Sequence, residues 1–324
     1  MRIDLHVHST ASDGTLSPSE VVREAHARGL CAIALTDHDT MDGVAEALQA
    51  GMRLGVDPGV RLLEGIEEVA QVPDLHRGWL VREDDEGHRV PPAGEVHVLG
   101  YFPPPEGWSP EADPAGHGAG VVGAVIDREF YDLLASRRDS RAERARKMVQ
   151  RLRELGMPLS YEDVLRQAGD APVGRPHIAR ALLEAGYVES VKEAFDRWLH
   201  RGGPAYVPRE KLSPAEAVQA IIDAGGVPVL AHPGRIDGQW VIQELIDAGL
   251  EGLECYYPEH TPEQTERYLG LAREHGLVVT GGTDYHGPRS PHDADLGSLP
   301  VPPEAVEQLK ERVRAVRRRG RRQA

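Results

Sequence analysis

Apolar and polar positions alternate from the start of the chain, with Ile3, Leu5 and Val7 set against Asp4, His6 and His8. A period of two predicts a strand, and it puts both imidazoles on one face, one pleat apart. Two polar rings on such a face need hydrogen-bond partners or a metal ion, and the spacing suits one ion; a pair satisfied internally is the alternative. Ser17-Pro18-Ser19-Glu20 then reads as an N-cap, a proline at the first helical position and the Glu of a capping box, opening a helix that stops at Gly29. The apolar run 31–35 has the length of a buried strand and delivers Thr36-Asp37-His38-Asp39 at its end. A helix over 43–51 and strands over 61–67 and 96–101 follow, the third strand ending on Glu67 and the fourth carrying His97.

Residues 68–94, rich in charge, glycine and proline, read as an exposed hairpin or loop, and 103–120, with five prolines and no periodicity, as a linker. From 121 to 202 the spacing is wholly helical, with helices expected over 141–155, 161–168, 176–185 and 191–200. Strand-helix alternation then resumes. Ser213-Pro214-Ala215-Glu216 opens a helix, the strand 227–231 leads into His232-Pro233-Gly234, and a helix over 240–248, a strand over 252–255 and a helix over 262–275 follow. The last strand, 277–280, ends in Gly281-Gly282-Thr283-Asp284-Tyr285-His286-Gly287. This gives seven core strands, four before the helical block and three after it, and predicts an α/β fold with a parallel sheet or barrel whose chemistry gathers at the C-terminal strand ends. The expected division is 1–120 and 205–300 for the two parts of the strand-bearing domain, 121–204 for an inserted helical domain, and 301–324 for a C-terminal helix and basic tail.

With 324 residues, 40% of them hydrophobic, the chain can bury a large core. No apolar run reaches the roughly 18 residues of a membrane span and the chain starts directly on a strand pattern, so a membrane protein and a signal peptide are not expected and the cytoplasm is the expected location. Cys31 and Cys255 sit in apolar runs and read as small buried hydrophobes, with no disulfide. The balance of 52 acidic against 37 basic residues argues against bulk capture of duplex nucleic acid. The arginine run in 312–323 reads as a solvated helix end, with a nucleic-acid arm as the alternative.

His6, His8, Asp13, His38, Glu67, His97, His232, Asp284 and His286 stand at strand ends, and nine such groups together indicate a metal centre of more than one ion. Singly they are weak: His97 alone could be an ordinary strand histidine, and Asp13, before Gly14, a turn residue. Asp37 and Asp39 are read either as orienting ligand histidines from behind or as turn caps after the second strand. Arg141 and Arg144, one helical turn apart, read as a phosphate clamp, with solvated pairing to acidic neighbours as the alternative for Arg144. Arg175 and His177, at a helix start framed by Gly174 and Pro176, read as an anion site. No aromatic stacking motif for a base stands out.

His6-x-His8 with Asp13-Gly14, Thr36-Asp37-His38-Asp39, Gly65-Ile66-Glu67, His97-Val98-Leu99-Gly100-Tyr101, Ala231-His232-Pro233-Gly234 and Gly282-Thr283-Asp284-Tyr285-His286-Gly287 resemble the PHP family, named for polymerase and histidinol phosphatase. Gly174-Arg175-Pro176-His177-Ile178-Ala179-Arg180 and Gly202-Gly203-Pro204-Ala205-Tyr206-Val207-Pro208 point within it to the nucleotide phosphoesterases, which include a 3′,5′-nucleoside bisphosphate phosphatase and a 5′–3′ exoribonuclease. The resemblance implies a distorted (β/α)7 barrel and three divalent ions, Mn²⁺ first, Zn²⁺ or Fe²⁺ as alternatives. It assigns His6, His8, Glu67 and Asp284 to one ion, Glu67, His97 and His232 to a second, and Asp13, His38 and His286 to a third. Its expected chemistry is attack by a metal-bridging hydroxide beside Glu67, Asp284 and His8, the bridged water having a pKa lowered from about 15.7 toward about 7. The implied substrate is a small nucleotide, with the 3′-phosphate of a 3′,5′-bisphosphate cleaved, or short 5′-phosphorylated RNA. Histidinol-phosphate hydrolysis and a metal-stabilised scaffold without turnover are the competing readings. Glu68, where relatives carry an apolar residue, and the long 68–94 segment depart from the pattern.

Overall fold

The alternating start forms β1 (Arg2–Val7), which pairs in parallel with β2 (Leu30–His38), itself parallel to β3 (Arg61–Gln71). The computed structural model describes residues 1–54, 61–71, 82–83, 89–90, 95–102, 128–169, 173–200, 202–208, 212–236, 239–288 and 294–320. The expected linker 103–120, most of the 68–94 segment and the last four residues lie outside them. Between β1 and β2 runs α1 (Pro18–Ala27), its Ser17–Glu20 capping box formed in both directions, and between β2 and β3 runs α2 (Val44–Arg53).

Seven strands make one sheet in the order β1-β2-β3-β6-β7-β8-β9, with β6 (Glu95–Tyr101), β7 (Val227–Leu230), β8 (Gly252–Tyr256) and β9 (Val278–Gly281). These are the seven strands expected from the pattern, but the sheet is mixed: β6 runs antiparallel to both β3 and β7. Between β3 and β6 the described residues form a second ribbon, β4 (Arg82–Glu83) with β5 (Arg89–Val90), and strands paired antiparallel need no crossover helix. The ends of the sheet, β1 and β9, meet through a single bridge of Val7 with Tyr285, so no closed ladder is formed among the described residues. A side chain takes over the pairing beyond that bridge: the buried Asp4 carboxylate accepts from Thr283 N (3.0 Å), Thr283 Oγ1 (2.6 Å) and Gly297 N (2.8 Å).

The helical block comprises α3 (Arg128–Glu154), α4 (Tyr161–Ala168), α5 (Arg175–Glu184) and α6 (Val191–Ala194), the last running into a wide π turn, Phe195–Leu199, where one regular helix was expected. After it come α7 (Pro214–Asp223), α8 (Gln239–Asp247), α9 (Pro262–His275) and α10 (Glu304–Gly320). Ile3, Leu5, Ala32, Ala34, Leu99, Tyr101, Val227 and Val229 form an apolar layer on the sheet, which α10 closes with Ala305, Leu309 and Val313. The helical block has its own apolar cluster, from Ala145 to Val207. Helix α3 serves both sides, since Phe130 and Leu134 pack with the sheet's helices while Met148 and Leu152 belong to the second cluster. Arg312 and Arg319, part of the terminal arginine run, pair with Glu251. No helix among the described residues is long and apolar enough to cross a membrane.

Candidate metal centre and the adjoining cleft

Three residues other than glycine have a positive φ among the described residues: Asp39 after β2 (52°), His232 after β7 (28°) and Asp284 after β9 (53°). Each turns the chain at a C-terminal strand end, and such strained backbone persists where the surroundings fix it. It concentrates here on one patch. His6, His8, His38, His97 and His232 form a closed ring of imidazoles, with successive centroids 5.2, 4.7, 5.6, 4.8 and 5.8 Å apart, and His286 stacks on His8 at 4.1 Å. Asp284 Oδ1 lies 3.4 Å from His6 Nε2 and 3.1 Å from His8 Nε2. Asp13 stands 3.2 Å from His286 Nε2 and 3.8 Å from His38 Nε2.

Two overlapping groups therefore have ligand atoms within 4.8 Å of one another: His6, His8 and Asp284; and His8, Asp13, His38 and His286. Nitrogen and oxygen donors at this density match the preference of borderline divalent ions such as Mn²⁺, Fe²⁺ and Zn²⁺. His97 and His232 join through the ring contacts, while Glu67 is level with His38 and Leu99 in the ladder and its side chain lies outside the described residues. The electrostatics agree with a cation-binding site. Burial alone would raise the Asp13 and Asp284 carboxyls, yet His38 and His286 around Asp13, and His6 and His286 around Asp284, hold both well below the usual carboxylate range. Burial and His8 oppose protonation of His286, and Asp13 outweighs them, so its pKa is raised.

Supporting contacts hold this set, from Glu254 and Arg235, which the sequence did not single out, and from Tyr257, one of the tyrosines (Tyr206, Tyr256, Tyr257 and Tyr285) expected near the mouth of the site. Glu254, fully buried on β8, reaches His6 Nδ1 with Oε1 (3.1 Å) and accepts the His232 amide with Oε2 (2.7 Å). Tyr257 donates its hydroxyl to Asp284 Oδ2 (3.0 Å), and Arg235 lies over the Tyr257 ring at 5.3 Å while pairing with Glu259 at 2.7 Å. One signal for Glu254 was present, a single carboxylate between Leu253 and Cys255 in an apolar strand, since a buried charge needs a partner.

The other expected residues divide. Asp37 lies close enough for the His8 charge to act on it. It accepts from Ser9 N (2.8 Å), Ser9 Oγ (2.7 Å) and Ser12 Oγ (2.6 Å), fixing the turn after His8, and its pKa is raised by burial. Asp39 pairs with Arg141 of α3, which ties the helical block to the end of β2. Arg144 donates to Val207 O (2.7 Å) and covers the Tyr206 ring at 5.1 Å. Arg141, Arg144 and Arg175 line one cleft together with Asp13, His38 and His97. His177, expected to bind an anion, is 1% exposed and its Nδ1 accepts the Gly174 amide (2.9 Å); burial lowers its pKa to about 4, so it caps α5 as a neutral ring and supplies no positive charge.

The sequence profile of the PHP domain matches residues 4–89. A 3′,5′-nucleoside bisphosphate phosphatase from Chromobacterium violaceum is 34% identical over 292 residues, covering 88% of this chain and 87% of the relative. A 5′–3′ exoribonuclease from Haemophilus influenzae is 31% identical over 295 residues, 89% of this chain and 90% of its own. Among solved structures, a protein from Bifidobacterium adolescentis assigned as a metal-dependent phosphoesterase superposes with a TM-score of 0.74 at 32% identity, over 96% of each chain. With the imidazole ring, its two carboxylates and these relatives, the chain belongs to the PHP family and is a metal-dependent hydrolase of phosphate esters.

Proposed function

We propose that the enzyme removes the 3′-phosphate of nucleoside 3′,5′-bisphosphates. The observation that carries this reading is the shared cleft, in which Asp13, His38 and His97 face Arg141, Arg144 and Arg175. A substrate with one phosphate at the imidazole ring and a second among the arginines uses both walls, whereas a monoester leaves the arginines idle. The relative from Chromobacterium violaceum, named for that activity, supports it.

On this reading His6, His8, Glu67 and Asp284 hold one ion, Glu67, His97 and His232 a second, and Asp13, His38 and His286 a third, with Mn²⁺ the favoured metal. The bound ions would supply Lewis acidity toward the phosphoryl oxygens and an activated water. The chain's own part is positional. Glu254 accepts a hydrogen bond from His6 Nδ1, leaving Nε2 toward Asp284; Tyr257 fixes the Asp284 carboxylate; Arg175 and Arg144 orient the distal phosphate so that the reacting ester sits at the ring. The helical block 121–204 is the element that selects the substrate, set on a sheet of the family's barrel type.

The test is phosphate release by Mn²⁺-reconstituted protein from adenosine 3′,5′-bisphosphate, AMP, histidinol phosphate and a 5′-phosphorylated RNA trimer, with and without chelator. Preference for the bisphosphate, abolished by chelation and lost in Arg175→Ala, is expected. Preference for the trimer would move the activity to RNA end-trimming, with the arginines reading the 5′-phosphate. Release from none of them by a folded, metal-loaded protein would favour the scaffold.

A further inference from the structure

Besides its charged residues the cleft has an apolar part. Met148 of α3, Ile178 of α5 and Phe195 line it together with the three arginines. Met148 and Ile178 are 0% and 1% exposed and belong to the apolar cluster of the helical block. Phe195 is half-buried, so its ring supplies the accessible surface. It is also the first residue of the π turn, where His200 N donates to Phe195 O (3.0 Å), and such wide turns recur at functional sites. The Arg175 guanidinium lies over the Phe195 ring, 5.7 Å from its centroid, so the cationic and aromatic groups of the cleft adjoin at this pair.

We propose that this apolar part of the cleft seats the nucleobase of the substrate, with Phe195 as the stacking platform. The proposal rests on the nucleotide reading above and extends it to the base. A phosphate held by Arg175 brings the rest of a nucleotide up to the Phe195 ring beside it. Stacking on an aromatic side chain contributes about 1–3 kcal/mol per base and tolerates any base, because every base has a π face. The apolar lining offers Met148, Ile178 and Phe195 no means to read a Watson–Crick edge, so discrimination among bases follows stacking area, purines over pyrimidines, and is shallow.

The experiment is calorimetric titration of the full chain, Mn²⁺-loaded and chelator-treated, with AMP and with ribose 5-phosphate, which has the phosphate and sugar but no base. AMP is expected to bind about tenfold or more tightly. Phe195→Leu, which keeps apolar bulk without a π face, is expected to shrink the gap below about threefold while leaving ribose 5-phosphate binding unchanged, and Phe195→Trp to preserve it. Equal binding of the two ligands by the wild type, or a gap that survives in Phe195→Leu, overturns the proposal. The two readings fail separately: bisphosphate hydrolysis without the gap removes the base seat alone, and the gap without hydrolysis of any nucleotide removes the proposed activity alone.

Discussion

Glu254 Oε1 stands 3.1 Å from His6 Nδ1, and its second oxygen accepts the His232 amide at 2.7 Å, so one buried carboxylate sets two members of the imidazole ring. By accepting from Nδ1 it fixes the tautomer that leaves His6 Nε2 for a metal, and partners of this kind typically account for 10–100-fold in metal affinity. Glu254→Gln preserves volume and removes the charge. We expect Mn²⁺ affinity, measured by calorimetry, to fall by about one to two orders of magnitude with little change in the circular dichroism spectrum. Unaltered affinity would leave Glu254 a structural residue.

Gly282 follows β9 where the chain passes directly against His6. A Cβ there would overlap the backbone N and Cβ of His6, with no flexible side chain to yield. Gly282→Ala therefore forces β1 and the Asp284 segment apart, and should cost about 2–4 kcal/mol in urea unfolding, in the range of severe overpacking. Metal affinity should drop with it, because His6 and Asp284 sit on the two sides of that contact.

Much of this site was legible because its residues terminate strands: Asp37-His38 closes β2, and Asp284 to His286 follow β9 within a glycine-rich turn. Seven strands could be counted from apolar runs for the same reason. The direction of β6 could not, since antiparallel pairing with β3 depends on how residues 72–94 connect them and not on the pattern of β6 itself. Long-range partners were equally hidden. Asp39 and Arg141 lie 102 positions apart, and nothing in either neighbourhood says that the first neutralises the second. Glu254 was visible only as a charge out of place, and Phe195 only as one more apolar position in a helix.

The Asp39–Arg141 pair joins the helical block to the residue after His38, with Asp39 fully buried and the Arg141 side chain 16% exposed. Removing one partner takes from a buried charge the counter-charge it has in this pair, which costs up to about 3–5 kcal/mol, whereas removing both costs much less. Asp39→Asn keeps a residue that tolerates the positive φ at this position, and Arg141→Met keeps the length. We expect each single variant to be destabilised and the double variant to recover part of the loss, read as a coupling free energy from urea midpoints. Additive effects would mean that the pair carries no net interaction.

His177 gives the folded protein a defined response to acid. Its Nδ1 accepts the Gly174 amide, the ring is buried, and burial with the Arg180 and Arg141 charges nearby lowers its pKa from 6.5 to about 4. Between those values the unfolded chain takes up a proton that the folded chain refuses. The stability from neutral His177 is thus complete above about pH 6.5 and drains away as the pH falls toward about 4, by about 3 kcal/mol at most. His177→Asn places an amide oxygen where Nδ1 accepts, and it does not titrate. Urea midpoints at about pH 7 and about pH 5 should therefore differ by roughly 2 kcal/mol less in this variant than in the wild type. Taking the difference between the two proteins cancels the other histidines, whose titration is common to both. An equal loss in wild type and variant would mean that His177 is protonated in the folded state, and would return it to the set of cationic groups available to an anionic substrate.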